Sequence, residues 1–331
     1  MLNNYLSISY ISELKVGLRL PQTTKNHATK DNILNLAKQA ENAGFDSLWV
    51  LERLIWPIDP LTPYPRSKDG SFPFDWQYIF DPLETLTFVA ANTEKIYLGT
   101  SVIDMLFHNP VILAKRFATL DILSNGRSMA GLGIGWSEDE YRVSNIPFKD
   151  RGKRADEYLQ LLKKMWTDNI VEFKGQFYNI PPSIVGPKPI QKPHIPIYLG
   201  GYNQKTFARI AGHANGWICV IHDSLEQLKA YLDKIKSECY KISRDPKEIH
   251  VAAILYPNIA DSANHLDSKE QDNNKHHRGL LHGSIDQVGN DLIAIRKLGV
   301  DHIILNYNRS LVSNDIDTII DLSKQLASFV K

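Results

Sequence analysis

The sequence predicts a single (β/α)8 TIM barrel over residues 1–331, with insertions after strands 2, 4 and 7. Three observations carry this expectation. Short apolar runs alternate with amphipathic helical segments along the chain, eight of each and in strict order. Most of the strand runs are continuously apolar, as expected of strands buried on both faces. No linker-like change of composition divides the chain, and the even count favours a closed barrel over an open doubly wound sheet.

The first strand is Val16–Leu20, ending at Pro21. A helix follows over Asp31–Ala43, with Ile33, Leu34, Leu36, Ala37 and Ala40 as its apolar stripe and Gly44 as its stop. Ser47–Leu51 is strand two. Residues 52–80, rich in proline and aromatics, form the first insertion. Asp81-Pro82 opens a helix running to Ala91, and Ile96–Ser101 is strand three. Asn109-Pro110 opens the next helix, whose apolar positions are Val111, Leu113, Ala114, Phe117, Leu120 and Ile122. Strand four is Ser128–Leu132. A strand–helix–strand unit of this kind forces parallel pairing and puts functional atoms just past the carboxyl ends of the strands.

Ser137 and Glu140 have capping-box spacing, and an amphipathic helix spans Arg151–Trp166. Residues 168–194 break the rhythm with a short hairpin, VEFKGQFYNI, and a proline-rich crossing. Then come strand Ile195–Leu199, helix Asn203–His213, strand Trp217–Val220, helix Leu225–Tyr240 and strand Ile249–Tyr256. Asp261–His277 is polar and reads as a mobile loop. Helix Gln287–Leu298, strand His302–Leu305 and helix Asp315–Phe329 close the barrel.

Composition bounds the function. The 38 basic and 37 acidic residues nearly cancel, so no basic field is available for nucleic acid. No apolar run reaches the roughly 18 residues of a membrane span. The N-terminus lacks the basic region and cleavage site of a secretory leader. Cys219, in a strand, and Cys239, late in a helix, read as free thiols, which fits a reducing cytoplasm. No His or Cys pair has metal-ligand spacing, and no nucleophile elbow or phosphate-binding P-loop occurs.

The chemistry-bearing candidates sit at strand ends. Glu52-Arg53 follows strand two directly and reads either as a site pair or as a structural ion pair, with Glu52 one candidate partner for a buried arginine. His108 is a candidate donor to a ligand ring or a structural histidine. Gly131, Gly133 and Gly135 have the wrong spacing for a dinucleotide fingerprint but permit close backbone approach at the mouth. Gly200-Gly201 precedes a helix whose free amides and dipole suit a phosphate. Glu138 and Glu140 read mainly as capping and dipole residues. Trp56, Tyr64, Phe72, Phe74, Trp76 and Tyr78 form either a lid over a planar ligand or a subunit contact.

The chain resembles the bacterial-luciferase-like oxidoreductases, and most of all their branch using the deazaflavin coenzyme F420. The matching stretches are LGTSV (Leu98–Val102), HNP (His108–Pro110), LSNGRSMAGLGIGW (Leu123–Trp136), PFKDRGKRADE (Pro147–Glu157), GPKPIQKPHIPIYLGG (Gly186–Gly201) and GWICV (Gly216–Val220). The resemblance implies a barrel with a planar (deaza)flavin at the strand ends. It implies a non-prolyl cis peptide at Ser101–Val102 beneath the ring, with Asn109, Gly135 and Trp136 lining the site. The phosphate would lie on Gly200, Gly201 and Tyr202. Flavin mononucleotide (FMN) users share most of these motifs. The sequence departs from well-known F420 dehydrogenases at two places. Their Asp-His pair after strand two is Glu52-Arg53 here, and an acidic residue after the fourth-strand glycines is Trp136. Arginine does not serve as a base at neutral pH. The expected activity is therefore F420-dependent hydride transfer to or from a small organic substrate, with Glu52, Arg53 and His108 as catalytic candidates. An FMN-dependent monooxygenase and a non-catalytic flavin-binding protein are the alternatives. A cytoplasmic homodimer is the expected form.

Overall fold

The computed structural model describes residues 14–24, 27–67, 69–221, 224–259, 278–308, 310, 312 and 315–331. The chain runs β1 (Lys15–Arg19), α1 (Lys30–Asn42), β2 (Ser47–Val50), α2 (Pro82–Ala90), β3 (Tyr97–Thr100), β4 (Ile103–Asp104) and α3 (Pro110–Leu123). It continues through β5 (Ser128–Gly133), α4 (Glu138–Val143), α5 (Arg151–Thr167), β6 (Val171–Lys174), β7 (Asn179–Ser183), β8 (Ile197–Gly200) and α6 (Gln204–His213). The last elements are β9 (Gly216–Val220), α7 (Leu225–Lys241), β10 (His250–Leu255), β11 (Asn258–Ile259), β12 (His282–Gly283), α8 (Ile285–Lys297), β13 (His302–Leu305) and α9 (Ile316–Ser328).

Eight strands pair in the order β3-β2-β1-β13-β10-β9-β8-β5, and β3 pairs with β5 to close the ring. Every barrel pairing is parallel, in registers such as Leu18↔Leu305 and Leu132↔Leu199. The expected barrel is thus present, with each strand within a residue or two of its sequence-predicted place. One strand differs in kind. The third is split: β3 ends at Thr100, and the chain rejoins the sheet as β4, which pairs Asp104 with Gly133. The Ser101–Val102 peptide between them is cis.

Side-chain caps explain where the helices start. Asp81 and Asn109 accept from the second and third amides of α2 and α3, each with proline at the first helical position. Ser284 and Gln287 form a complete capping box on α8. The hairpin expected at VEFKGQFYNI is β6–β7, and both oxygens of Glu157 hold its turn through the Gln176 and Phe177 amides. The polar segment 261–277 lies outside the described residues; β11 and β12, on either side of it, pair with each other.

Two apolar layers result. Between barrel and helices lies the larger core, with Phe117, Tyr158, Trp166 and Phe207 among its fully buried rings. Inside the barrel sit Trp49, Met129, Tyr198, Ile218, Ala252, Ile254 and Ile304. Trp49 fits only because Gly99 on the adjacent strand lacks a side chain: a Cβ there would lie 2.4 Å from the indole. At the amino-terminal end of the barrel, the Trp49 indole donates to Ser47 Oγ at 2.7 Å, and Ser47 shares a 2.7 Å hydrogen bond with His302 Nε2. Burial holds the His302 imidazole far below its usual range, at about 3.

This sets a pH dependence. The folded His302 resists protonation that the unfolded chain accepts at its ordinary 6.5. Stability is therefore full above about 6.5 and falls as pH drops toward 3, with a slope of up to about 1.4 kcal/mol per pH unit from this group. Denaturant unfolding of wild type and His302→Gln between these pH values is expected to show a shallower dependence in the variant. Equal slopes would refute this role. Gly99→Ala is expected to cost more than about 1 kcal/mol, because the added methyl meets the Trp49 ring.

Candidate active site

The carboxyl ends of the strands open into a cavity of about 620 Å³. Glu52, Arg53, Ser101, Val102, Gly135, Trp136, Gly200, Gly201 and Tyr202 all line it. The structure thus gathers most sequence-predicted site residues from four different loops. His108 and Asn109 stand apart. Neither belongs to the cavity wall, and the Asn109 side chain is used up as the cap of α3, bound to the Val111 and Ile112 amides.

Arg53 is an enclosed cation of the site. Its side chain is 5% exposed and pairs with Glu140, which is 1% exposed. The guanidinium also lies 4.9 Å from the Trp136 ring centre, 5.2 Å from Trp76 and 5.8 Å from Phe72. Its partner is therefore not the adjacent Glu52. The capping-box reading of Ser137–Glu140 is corrected too. Ser137 accepts from the Glu140 amide, but the Glu140 carboxylate crosses to Arg53 and to the Leu54 amide at 2.8 Å. Aromatic residues of the first insertion complete the enclosure: Tyr64 packs on Phe72, Trp76 and Trp136 at 5.2–6.1 Å between ring centres.

Glu52 turns the other way. Oε2 accepts from the Asp104 amide at 2.9 Å, and Oε1 meets His108 Nε2 at 2.7 Å. His108 thus buttresses Glu52 from behind. Asp104 itself lines the cavity, 8% exposed, with Oδ1 accepting from the Gly135 amide at 3.0 Å. Burial pushes its carboxyl up to about 7; Arg53 opposes that rise, and Glu140 and Glu52 add to it. Burial raises Glu140 as well, with Arg53 again opposing. The fourth-strand glycines serve this junction: a Cβ at Gly131 would lie 1.7 Å from the Thr100 carbonyl oxygen, and one at Gly133 would lie 2.5 Å from Asp104 Oδ1.

The Gly200-Gly201 loop leads into α6, capped by Asn203, which accepts from the Thr206 amide at 2.9 Å. The amides of Gly201, Tyr202 and Asn203 carry no hydrogen bond among the described residues. Three arginines that the sequence reading did not single out also line the cavity. Arg19, at the end of β1, donates to Ser101 Oγ at 2.8 Å. Arg66 stacks on and bonds to Tyr202, and Arg151 lies 3.8 Å from the Phe148 ring centre. Arg19 and Asp104 carried a usable signal, since both end barrel strands at the functional face.

The profile of the luciferase-like monooxygenases matches residues 14–278. The chain belongs to this family. As a luciferase-like protein it is similar to the F420-dependent glucose-6-phosphate dehydrogenase of Amycolatopsis mediterranei (strain U-32), with 32% identity over 227 residues, 67% of this chain and 61% of that enzyme. Its fold is that of an F420-dependent secondary alcohol dehydrogenase solved with an F420-acetone adduct, at TM-score 0.76 and 18% identity, over 96% of this chain and 99% of the other. A monooxygenase from Streptomyces bottropensis shares the fold at TM-score 0.73 and 19% identity, over 96% and 98%.

The enclosure of Arg53 makes a stability prediction. Glu140→Gln removes the carboxylate bonded to the buried guanidinium, and Arg53→Ala leaves that buried carboxylate without its cation. Each is expected to lower the unfolding free energy by about 3 kcal/mol or more, read by denaturant melts. Unaltered melts with weakened ligand binding would instead make Arg53 a ligand contact.

Proposed function

We propose that this luciferase-like protein is a coenzyme F420-dependent oxidoreductase that moves a hydride to or from a small organic substrate. The observation that carries the reading is the composition of the cavity. It joins a glycine-lined recess to three unbonded amides at the start of a ten-residue helix and to three arginines. Such a cavity suits a planar ring with a phosphate and an anionic tail. Of the relatives above, one dehydrogenase in sequence and one in fold are F420-dependent by name. The bound deazaflavin supplies the carbon that accepts or gives the hydride.

The chain's own residues do the rest. The backbone at Ser101–Val102 and Gly135–Trp136 would flank the ring, and Gly200–Asn203 would hold the phosphate. Tyr64, Trp76 and Trp136 shed water from one wall. Arg53, enclosed and permanently charged, is no base. His108, behind Glu52, positions that carboxylate rather than touching the ligand. The same reading includes a cytoplasmic homodimer, for which the exposed Phe88 of α2 and Ile112 and Leu123 of α3 offer an apolar face.

Titrating the cofactor-free protein with F420 and with FMN tests the cofactor. Saturable F420 binding with thermal stabilisation is expected, by roughly 2.7 kcal/mol at 100 times the dissociation constant. Micromolar FMN binding with none for F420 would turn the reading toward the monooxygenases. Gly200→Ala locates the phosphate. Its new Cβ would stand 3.4 Å from Val102 and 3.7 Å from Ile218, so the loop accommodates it while the recess narrows. Affinity is expected to drop at least tenfold, about 1.4 kcal/mol, with little change in melting temperature. Gly201 is the poorer test position, because its φ of +125° and a 3.0 Å approach to Thr206 strain any side chain.

A further inference from the structure

The junction of β4, β5, α4 and the first insertion buries three carboxyl groups, Glu52, Asp104 and Glu140, around one guanidinium. Two of them are fully engaged. Glu140 binds Arg53 and the Leu54 amide, and Glu52 binds the Asp104 amide and His108. Asp104 differs. Oδ1 takes the Gly135 amide, whereas Oδ2 has no hydrogen-bond partner among the described residues and the side chain reaches the cavity. A Cβ at Gly133 would lie 2.5 Å from Oδ1, so the glycine leaves the carboxyl its place at the cavity.

We propose that Asp104 is the proton-exchanging residue of this site, which takes or gives the proton that accompanies hydride transfer at a substrate hydroxyl or carbonyl group. The proposal rests on the oxidoreductase reading above. In the oxidising direction the substrate C–H bond breaks and its electron pair leaves as hydride to the deazaflavin carbon. The O–H proton passes to the Asp104 carboxylate and a C=O bond forms; Asp104 then returns the proton to solvent through the cavity. In the reducing direction the Asp104 carboxylic acid protonates the carbonyl oxygen as the hydride arrives. Each step conserves atoms and charge, and the cofactor is the only redox partner required.

The electrostatics of the junction support this role. The groups facing Asp104 are Arg53 and Glu52 from the loop after β2, and Glu140 and Tyr141 from α4, with His108 behind Glu52. Three carboxylates against one guanidinium leave an excess of negative charge in a buried space, and a proton on one of them relieves it. The oxygens of Glu140 and Glu52 are taken up by Arg53, His108 and the Leu54 and Asp104 amides, whereas Asp104 keeps Oδ2 for exchange. Its position at about 7 lets the same group act as acid and as base near neutrality.

The test compares wild type with Asp104→Asn, an isosteric change that keeps the Gly135 bond. Infrared spectra of the cofactor-free full chain are expected to show a carboxylic-acid carbonyl band that disappears as pH rises through about 7 and is missing in the variant. F420 affinity, read by fluorescence quenching, should stay within about threefold, whereas turnover with 2-propanol or glucose 6-phosphate as probe alcohol should fall about 100-fold or more. Asp104→Glu should restore part of it. A wild type without the titrating band, or a variant that keeps the band or the turnover, overturns the proposal. A wild type that binds no F420 counts against the oxidoreductase reading, and the infrared titration then still decides whether Asp104 exchanges a proton.

Discussion

The buried pair between Arg53 and Glu140 is the constraint on which the architecture of the mouth depends. A guanidinium enclosed by tryptophan and phenylalanine rings is tolerable only with a counter-charge, and Glu140 supplies it from the third position of α4. The neighbouring residues extend the same attachment. Asp139 accepts from the Leu61 and Thr62 amides, and the Glu138 amide donates to Thr62 Oγ1. Three consecutive positions on one short helix thereby hold the insertion after β2 in place. Polar groups of a long connection that would otherwise need water find partners on α4. One wall of the cavity exists because of this.

The two ends of the barrel do different work. The amino-terminal end holds Trp49, Ser47 and His302, a hydrogen-bonded set packed inside the barrel. The carboxyl end carries the charged and glycine-rich segments. The divided third strand connects them. By leaving the sheet after Thr100 and rejoining it at Ile103, the chain brings Asp104 beside Gly133 and within reach of the cavity. A regular strand would alternate its side chains between barrel and helices without such an offset.

The barrel was legible because its signals are local. Runs such as Ser47–Val50 and His302–Leu305 are buried throughout, so their apolar continuity marks them as strands, and Asp81-Pro82 and Asn109-Pro110 announce their helices by cap chemistry alone. The glycine-rich strand ends were legible for the same reason. What stayed hidden lies in long-range partners. Arg53 finds Glu140 across 87 positions, while local rules offered it Glu52 and assigned Glu140 to its own helix. Asn109 shares a motif with His108, but its side chain serves the helix it begins. Asp104 is masked by the apolar residues on both sides of it, and its significance depends on a carboxyl cluster assembled from three segments.

The rings around Arg53 have an optical consequence. The chain has six tryptophans. Trp49 and Trp166 are fully buried, lie off the cavity wall and report on the integrity of the fold. Trp76 and Trp136 line the cavity, close enough to a cation to have their emission tuned by its field. A chromophore entering the recess meets two native indoles at its wall, whereas unfolding alters all six. The intrinsic emission of the unlabelled protein therefore contains two separable signals, one for occupancy and one for folding.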